Sequence, residues 1–290
     1  MEPIVLVVFA AIAATLAYSW WKQMSFSILV SVACIVVFIL EFVPLETSSG
    51  LAVDEILFMP GDLTDPGRLY TVITSMYAHG SLMHLLFNVL GLILIGMVLE
   101  QRIGTRPYIT IYLLTGIAGT LMFAGFHWDE PFIGVLGASG AISGVLGAFA
   151  RLYPNERMSM FVMFVPLPPM PIWMIVTVFV GMQFLYSLGS TNIAWEAHLG
   201  GLIAGLILAP MVVKMPLYKR AKRTVSHSSL RRLAVTPELK AILRRIEQED
   251  VPDVRSAWIE KFMSEARCPH CGSRLRPTKE SIMCEKGHLL

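Results

Sequence analysis

The segment Gly137–Gly140 reads Gly-Ala-Ser-Gly and places Ser139 at the start of an apolar run. Glycines allow a close backbone approach, and a serine at a helix N-terminus lies beside unpaired N–H groups and the positive end of the helix dipole. That arrangement can stabilise the oxyanion of an acyl transfer. Alternatively, Ser139 only caps the helix, while Gly140, Gly144 and Gly147 form a small-residue packing face. The segment predicts either a nucleophile or a packed helix start.

A second apolar run contains His198, within Ala197–Gly201 and followed by Gly205. On a helix, His198, Gly201 and Gly205 share one face at i, i+3 and i+7. An imidazole without a partner is costly in hydrocarbon, so His198 needs a hydrogen bond. It is predicted to be either a general base or half of a structural hydrogen bond between helices.

A third run contains His84 and Asn88, whose i, i+4 spacing directs both side chains to one side of a helix. Two donors on one face can polarise a carbonyl oxygen. Alternatively, the two side chains bond to each other or to backbone, and His79 is an interfacial residue. Together, the three runs supply a nucleophile, a base and donors, which is the minimum set for acyl transfer.

Near the C-terminus, Cys268, Cys271, Cys284 and His288 form a C-x2-C-x12-C-x3-H pattern. Two close ligand pairs separated by a short stretch are typical of a tetrahedral structural zinc site. His288 is preferred to His270 as the fourth ligand, because His270 lies between two ligands of the same pair. A redox CxxC is the alternative, but no thioredoxin-like βαβ pattern surrounds it. The pattern predicts a zinc-ribbon-like module.

The elements that must position these groups are apolar. Of the 290 residues, 55% are hydrophobic and 15% are charged, against about 25% charged in soluble domains. This composition excludes a water-soluble enzyme and a disordered chain, and four cysteines exclude a disulfide-stapled secreted fold. Continuous apolar runs also exclude a membrane β-barrel. We predict seven spans: Pro3–Trp20, Phe26–Phe42, Leu82–Leu99, Tyr108–Phe126, Gly137–Leu152, Pro171–Leu188 and Ala194–Val213.

Charge is distributed unevenly. Residues 1–213 carry 6 Lys/Arg and 12 Asp/Glu, whereas residues 214–290 carry 17 and 9. Arg68 is the only basic residue in the loops on one side of the predicted spans, so the positive-inside rule places these loops outside. The first run is predicted to be a retained helix, because Lys22 follows it and a secretory signal has its positive charge first. The chain is therefore expected in the cell membrane, with its N-terminus outside and its C-terminal tail cytoplasmic.

The basic tail divides into a linker at 214–235 and a polar module at 236–290. The linker is predicted to meet anionic lipid headgroups, so no nucleic acid partner is expected. Thr236, Pro237 and Glu238 predict a helix start, and Pro252 opens a second helix. The sequence does not identify a cytoplasmic partner for this tail.

Over Phe26–Val213 the chain resembles the rhomboid intramembrane serine proteases. The resemblance rests on three motifs, GxSG at Gly137–Gly140, AHxxG at Ala197–Gly201 and HxxxN at His84–Asn88, and on the turn Glu100–Gly104. It implies an all-α polytopic fold with a rhomboid-like six-helix core at 23–213. One extra transmembrane helix at 1–22 would precede that core.

The resemblance also implies the roles of the site residues. Ser139 would be the nucleophile and His198 its base, without an aspartate and without a cofactor. The Ser139 N–H and the side chains of His84 and Asn88 would form the oxyanion hole, with Gly137 beside them at the substrate-binding site. Substrates would be transmembrane proteins with small or helix-breaking residues near the cut.

The resemblance extends to the loops, with two departures. The loop Val43–Ser81 would be the family's membrane-embedded first loop, and Pro171–Leu188 with the segment up to Ala194 would be the mobile gate and cap. Many relatives have Trp-Arg where this chain has Tyr70-Thr71, and an aromatic residue against the histidine where this chain has Ser143.

Two other functions fit parts of the pattern. A non-catalytic rhomboid-like protein would bind client transmembrane helices, but such a binder has no need for both Ser139 and His198. A transporter or proton conductor using His79, His84 and His198 predicts charged residues at mid-membrane, and the runs contain almost none.

Overall fold

Apolar helices form most of the first 214 residues in this computed structural model. The structure describes residues 3–41, 52–159, 161–162, 165–166, 168–189, 193–214, 227–249, 252–277 and 282–288. The described residues do not include Phe42, nor the start of the long loop, nor the basic linker residues 219–223. The chain divides into two compact units, Met1–Met215 and Pro216–Leu290.

The longer helices of the first unit overlap the predicted apolar runs, with ends that differ by up to four residues. They are α1 (Pro3–Lys22), α2 (Phe26–Glu41), α3 (Leu82–Ile103), α4 (Thr105–Phe126), α5 (Ser139–Leu152), α6 (Ile172–Ser187) and α7 (Trp195–Lys214). Within the described residues, α1, α3, α4 and α7 are long and apolar enough to cross a membrane, whereas α2, α5 and α6 are shorter apolar helices. This confirms a helical polytopic membrane protein, and the number of crossings remains a prediction.

The predicted turn at Glu100–Gly104 is wrong at its start, because α3 continues to Ile103 and the chain turns at Gly104, where φ is +87°. The helix continues past Glu100, and the carboxylate of this residue is buried against the N-terminus of α2. It accepts the backbone N–H groups of Phe26 at 2.7 Å and Ser27 at 2.9 Å. An acceptor at a helix N-terminus satisfies donors that would otherwise be unpaired.

The loop between α2 and α3 is ordered by polar contacts around Arg68. The guanidinium donates from Nε to Asp62 Oδ1 at 3.1 Å and from Nη2 to the Asp54 carbonyl at 2.9 Å. Tyr70 donates its hydroxyl to the Glu55 carbonyl at 3.0 Å. These contacts surround Tyr70-Thr71, the first departure from the family pattern.

Short strand pairs lie between α5 and α6. Arg157–Met158 (β1) pairs antiparallel with Met170–Pro171 (β4), and Phe161–Val162 (β2) pairs with Val165–Pro166 (β3).

Within its described residues, the second unit contains three helices and a hairpin, namely α8 (His227–Leu233), α9 (Pro237–Gln248), α10 (Pro252–Glu265), β5 (Leu275–Pro277) and β6 (Ile282–Cys284). Thr236 caps α9 as predicted, and its Oγ1 accepts the Leu239 N–H at 3.2 Å. The apolar stripe of α9 is buried together with Leu230 and Phe262.

Candidate active site

Ser139 and His198 meet through their side chains. The distance from Ser139 Oγ to His198 Nε2 is 2.8 Å. Ser139 is the first residue of α5, and Ala138 occupies the cap position without a side-chain cap bond. The structure therefore does not support the alternative in which Ser139 caps its own helix. Its hydroxyl faces the imidazole instead.

Backbone contact between α5 and α7 holds these two side chains together. A Cβ on Gly201 would overlap the carbonyl oxygen of Gly140, and a Cβ on Gly205 would overlap that of Gly144. The helix α4 packs almost as closely against α7, since a Cβ on Gly119 would lie 2.6 Å from the Ala197 oxygen. Small residues permit such close helix packing in membranes.

The turn before Ser139 requires a glycine. Gly137 has φ of +112°, a region that residues with a side chain rarely adopt. A Cβ there would also lie 2.6 Å from His84 Nε2. The bare Cα of Gly137 therefore lets the His84 imidazole lie against the segment that leads into Ser139.

Asn88 lies one turn after His84 on α3 and is buried. Its Nδ2 donates to the His84 carbonyl at 2.8 Å. This is the bond to backbone that the sequence pattern left open as one alternative for these two residues. A side-chain amide has two N–H groups, so this bond uses only one of them. The structure places His84 beside Gly137 and orients Asn88 along its own helix.

A cavity of about 20 Å³ adjoins Ser139, and polar lining comes from the hydroxyl-bearing residues Ser75 and Thr120. A cavity of this size holds about one water molecule. A polar pocket beside a nucleophile could supply the water that ends an acyl transfer.

The other nitrogen of the imidazole contacts α6, which the sequence reasoning missed. His198 Nδ1 lies 2.9 Å from Gln183 Oε1, and the Phe179 ring lies 6.1 Å from the imidazole between centroids. Gln183 is the only amide in the Pro171–Leu188 run. A polar group inside an apolar span is a functional candidate by default, so the signal was present. The second departure, Ser143, instead donates its hydroxyl to the Ser139 carbonyl at 2.7 Å.

The predicted zinc ligands form a separate cluster in the second unit. The ligand atoms of Cys268, Cys271, Cys284 and His288 all lie within 4.8 Å of one another. The Cys271 and Cys284 sulfurs are 3.7 Å apart, and His288 Nδ1 is 3.4 Å from Cys284 Sγ. Tetrahedral zinc, with bonds of about 2.3 Å to sulfur and about 2.0 Å to nitrogen, places its ligand atoms roughly 3.5–3.8 Å apart. The sulfurs of Cys271 and Cys284 are at that spacing, and small side-chain movements would bring the other ligand atoms to it, so this donor set suits zinc.

The electrostatics of Cys284 favour metal binding. Burial alone would raise the pKa of its thiol, but hydrogen bonds with the Ser273 side chain and with the backbone of His288 and Lys286 lower that pKa to about 6. The thiolate is the form that binds metals.

The fold and this site define a helical, multi-pass membrane protein in which a serine and a histidine from separate helices meet within hydrogen-bond distance. A family model described as the Rhomboid domain matches residues 66–215. The chain belongs to the rhomboid family.

Individual relatives agree with that assignment. Over 201 residues, or 68% of this chain and 37% of the relative, the chain is 32% identical to the rhomboid protease GluP of Bacillus subtilis. It is 32% identical to the putative rhomboid protease YdcA of the same organism over 51% of this chain and 69% of the relative. It is also 28% identical to RHOMBOID-like protein 5 of Arabidopsis thaliana over 54% and 48%. The chain spans about half or less of the length of GluP and the Arabidopsis relative.

Proposed function

We propose that the chain is an intramembrane serine endopeptidase that cuts transmembrane protein substrates with Ser139 as nucleophile and His198 as general base. The observation that carries the proposal is the 2.8 Å distance between Ser139 Oγ and His198 Nε2. A hydroxyl is a weak nucleophile until an adjacent base accepts its proton. Membership of a family that includes proteases such as GluP supports the same assignment.

The proposed reaction has two stages. His198 Nε2 accepts the Ser139 proton while Oγ attacks the scissile carbonyl, and the imidazolium then gives that proton to the leaving amine as the C–N bond breaks. Water next attacks the carbonyl of the acyl-enzyme and gives a proton to His198. His198 then returns that proton to Ser139 Oγ as the ester C–Oγ bond breaks, which releases the new carboxyl group.

The negative oxygen that forms in each stage needs donors. The backbone N–H of Ser139 is available because this residue begins α5, where N–H groups have no partner within the helix. We assign the His84 imidazole and the second N–H of Asn88 as the side-chain donors, with Gly137 providing the space beside them. Donors positioned in advance are worth about 10²–10³ in kcat each.

The substrate class follows from where the dyad lies. Ser139 begins the apolar helix α5, and His198 lies in the apolar helix α7. The bond to be cut must therefore reach them at the membrane. A peptide bond within a helix has its carbonyl hydrogen-bonded, so the substrate must unwind locally. Small or helix-breaking residues near the cut facilitate this unwinding.

The remaining organisation belongs to the same proposal. Residues 1–22 form an extra transmembrane helix, 23–213 the protease domain, 214–235 a lipid-facing linker and 236–290 a cytoplasmic tail. The N-terminus lies outside. Cys268, Cys271, Cys284 and His288 would hold a structural zinc ion, which would tie the β5–β6 hairpin to the end of α10. No cofactor takes part in catalysis.

The test uses the full-length protein in lipid vesicles with a transmembrane substrate that carries small residues near its outer end. Cleavage is expected from the unaltered protein and from two matched controls, Ser187→Ala and His270→Ala. Ser139→Ala and His198→Ala are expected to abolish it. Cleavage that persists in either dyad variant overturns the proposal, and substrate binding without any cleavage would support the non-catalytic alternative.

A further inference from the structure

Gln183 is an unusual residue for its helix. Among the residues of α6, only Ile172, Ile175 and Gln183 are buried, and the second half of the helix otherwise presents mainly exposed apolar side chains. Gln183 is 2% exposed, and its Oε1 lies 2.9 Å from His198 Nδ1. An amide without a partner would be costly in this position, so the contact satisfies a polar group on each helix.

We propose that Gln183 is a positioning residue that fixes the tautomer and orientation of His198. The proposal rests on the function proposed above. It assigns to a neutral amide on α6 the task that a buried carboxylate performs in serine proteases with a triad.

The chemistry of the imidazole requires such a partner. A neutral imidazole carries one proton, so Nε2 can accept from Ser139 only when Nδ1 is protonated. The amide oxygen of Gln183 is solely an acceptor, and it therefore stabilises the ring with its proton on Nδ1. Without it, the ring can carry its proton on Nε2, where it blocks proton transfer from Ser139.

The packing around His198 supports the assignment. Phe179 lies one helical turn before Gln183, so both residues contact the imidazole from the same face of α6. From α5, Ser143 directs its hydroxyl to the Ser139 carbonyl rather than to the ring. The orientation of the base therefore depends on α6, and moving α6 away would release it.

Three substitutions separate the acceptor from the shape of the side chain. Gln183→Met keeps the length and removes the amide oxygen. Gln183→Asn keeps the amide but withdraws it by about 1.5 Å, one C–C bond. Gln183→Glu keeps an acceptor and adds negative charge. Thr177→Val is the matched control, because it removes a polar group from an exposed position of the same helix.

The readouts are kcat, KM and the pH profile of substrate cleavage by the full chain in vesicles. Gln183→Met and Gln183→Asn are expected to lower kcat about 10- to 1,000-fold, with KM within about twofold. Gln183→Glu is expected to keep much more activity than these two variants. It is also expected to shift the acidic limb of the kcat/KM profile to higher pH, because a carboxylate stabilises the imidazolium. Thr177→Val is expected to match the unaltered protein.

The nitrogen-15 spectrum of histidine-labelled protein supplies a second readout that does not depend on turnover. The His198 signal, assigned by its loss in His198→Ala, is expected to report a protonated Nδ1 in the unaltered protein and a mixture of tautomers in Gln183→Met. If the unaltered protein cuts substrate and Gln183→Met matches it in kcat and pH profile, the positioning role is overturned while the proposed function stands. If the unaltered protein does not cut, the proposed function fails, and the tautomer measurement still decides whether Gln183 orients the ring.

Discussion

Gly201 on α7 lies directly against the carbonyl oxygen of Gly140 on α5, without room for a side chain between them. Gly140 follows Ser139, and Gly201 lies one turn after His198. The backbone contact of these two glycines therefore sets the separation of the helices at the height of the dyad. Any group that widens this contact also moves the imidazole away from the hydroxyl.

Gly201→Ala is expected to reduce both stability and cleavage. The new methyl group would overlap Gly140 O, and a backbone atom cannot move aside as a flexible side chain can. Overpacking of this kind costs typically 1–3 kcal/mol, and a displacement of about 1 Å in catalytic geometry can cost 10²-fold in rate. Thermal unfolding in detergent and cleavage in vesicles measure the two effects. Gly125→Ala is the control, since nothing lies within 4 Å of the added methyl group, and equal activity of the two variants would contradict the argument.

Gly137→Ala is expected to reduce cleavage strongly while the helices remain folded. The substitution places a side chain at φ of +112° and 2.6 Å from His84 Nε2. Backbone strain of this kind costs about 1–3 kcal/mol, and relief would displace either His84 or the start of α5. Cleavage and the circular dichroism of the purified variant are compared with those of Gly80→Ala. At Gly80 the added methyl group meets only Leu136, at 3.8 Å, so that control is expected to retain activity, and a fully active Gly137→Ala would refute the assigned role.

The sequence predicts the membrane fold well because apolar runs and small-residue motifs are local signals. The start of α9 at Thr236 is likewise local, and the structure confirms it. The structure brings Ser139 and His198 together, two residues that are 59 positions apart, and their catalytic roles stay predictions. The end of α3 was misplaced because the burial of Glu100 depends on N–H groups of α2, about 74 residues away in sequence.

The sequence singles out Gln183 as a polar residue in an apolar run, but it does not predict the contact of Gln183 with His198. A lone glutamine in an apolar helix can face lipid, a neighbouring helix or a cavity, and helical periodicity does not choose among them. The choice depends on how α6 is rotated against α7, which the few buried residues of α6 barely specify. The backbone of the loop around Arg68 also could not be predicted, because long-range polar contacts determine it and no periodic pattern specifies them.

Arg68→Ala is expected to loosen the loop before α3. The guanidinium joins Asp62, Glu55 and the Asp54 carbonyl, so its removal takes one charged donor away from each of these three groups. Each hydrogen bond to a charged group contributes about 1.5–3 kcal/mol. Faster limited proteolysis between residues 52 and 81 would report the loosening. Arg68→Lys is expected to be intermediate, because an ammonium lacks the planar fork of donors. Proteolysis at the unaltered rate in Arg68→Ala would show that these contacts do not hold the loop.

Removal of metal from the second unit is expected to unfold its hairpin. The cluster contributes Cys284 from β6 and Cys268 from the segment after α10, so the four ligands connect the hairpin to the end of that helix. Purified full-length protein is expected to contain about one zinc ion per chain, and a chelator is expected to make the tail sensitive to protease. His288→Ala is expected to lower the zinc content, whereas His270→Ala is expected to preserve it, because His270 contributes no atom to the cluster. Equal loss of zinc in both variants would contradict the assignment of His288, and a protease-resistant tail without metal would contradict the structural role of zinc.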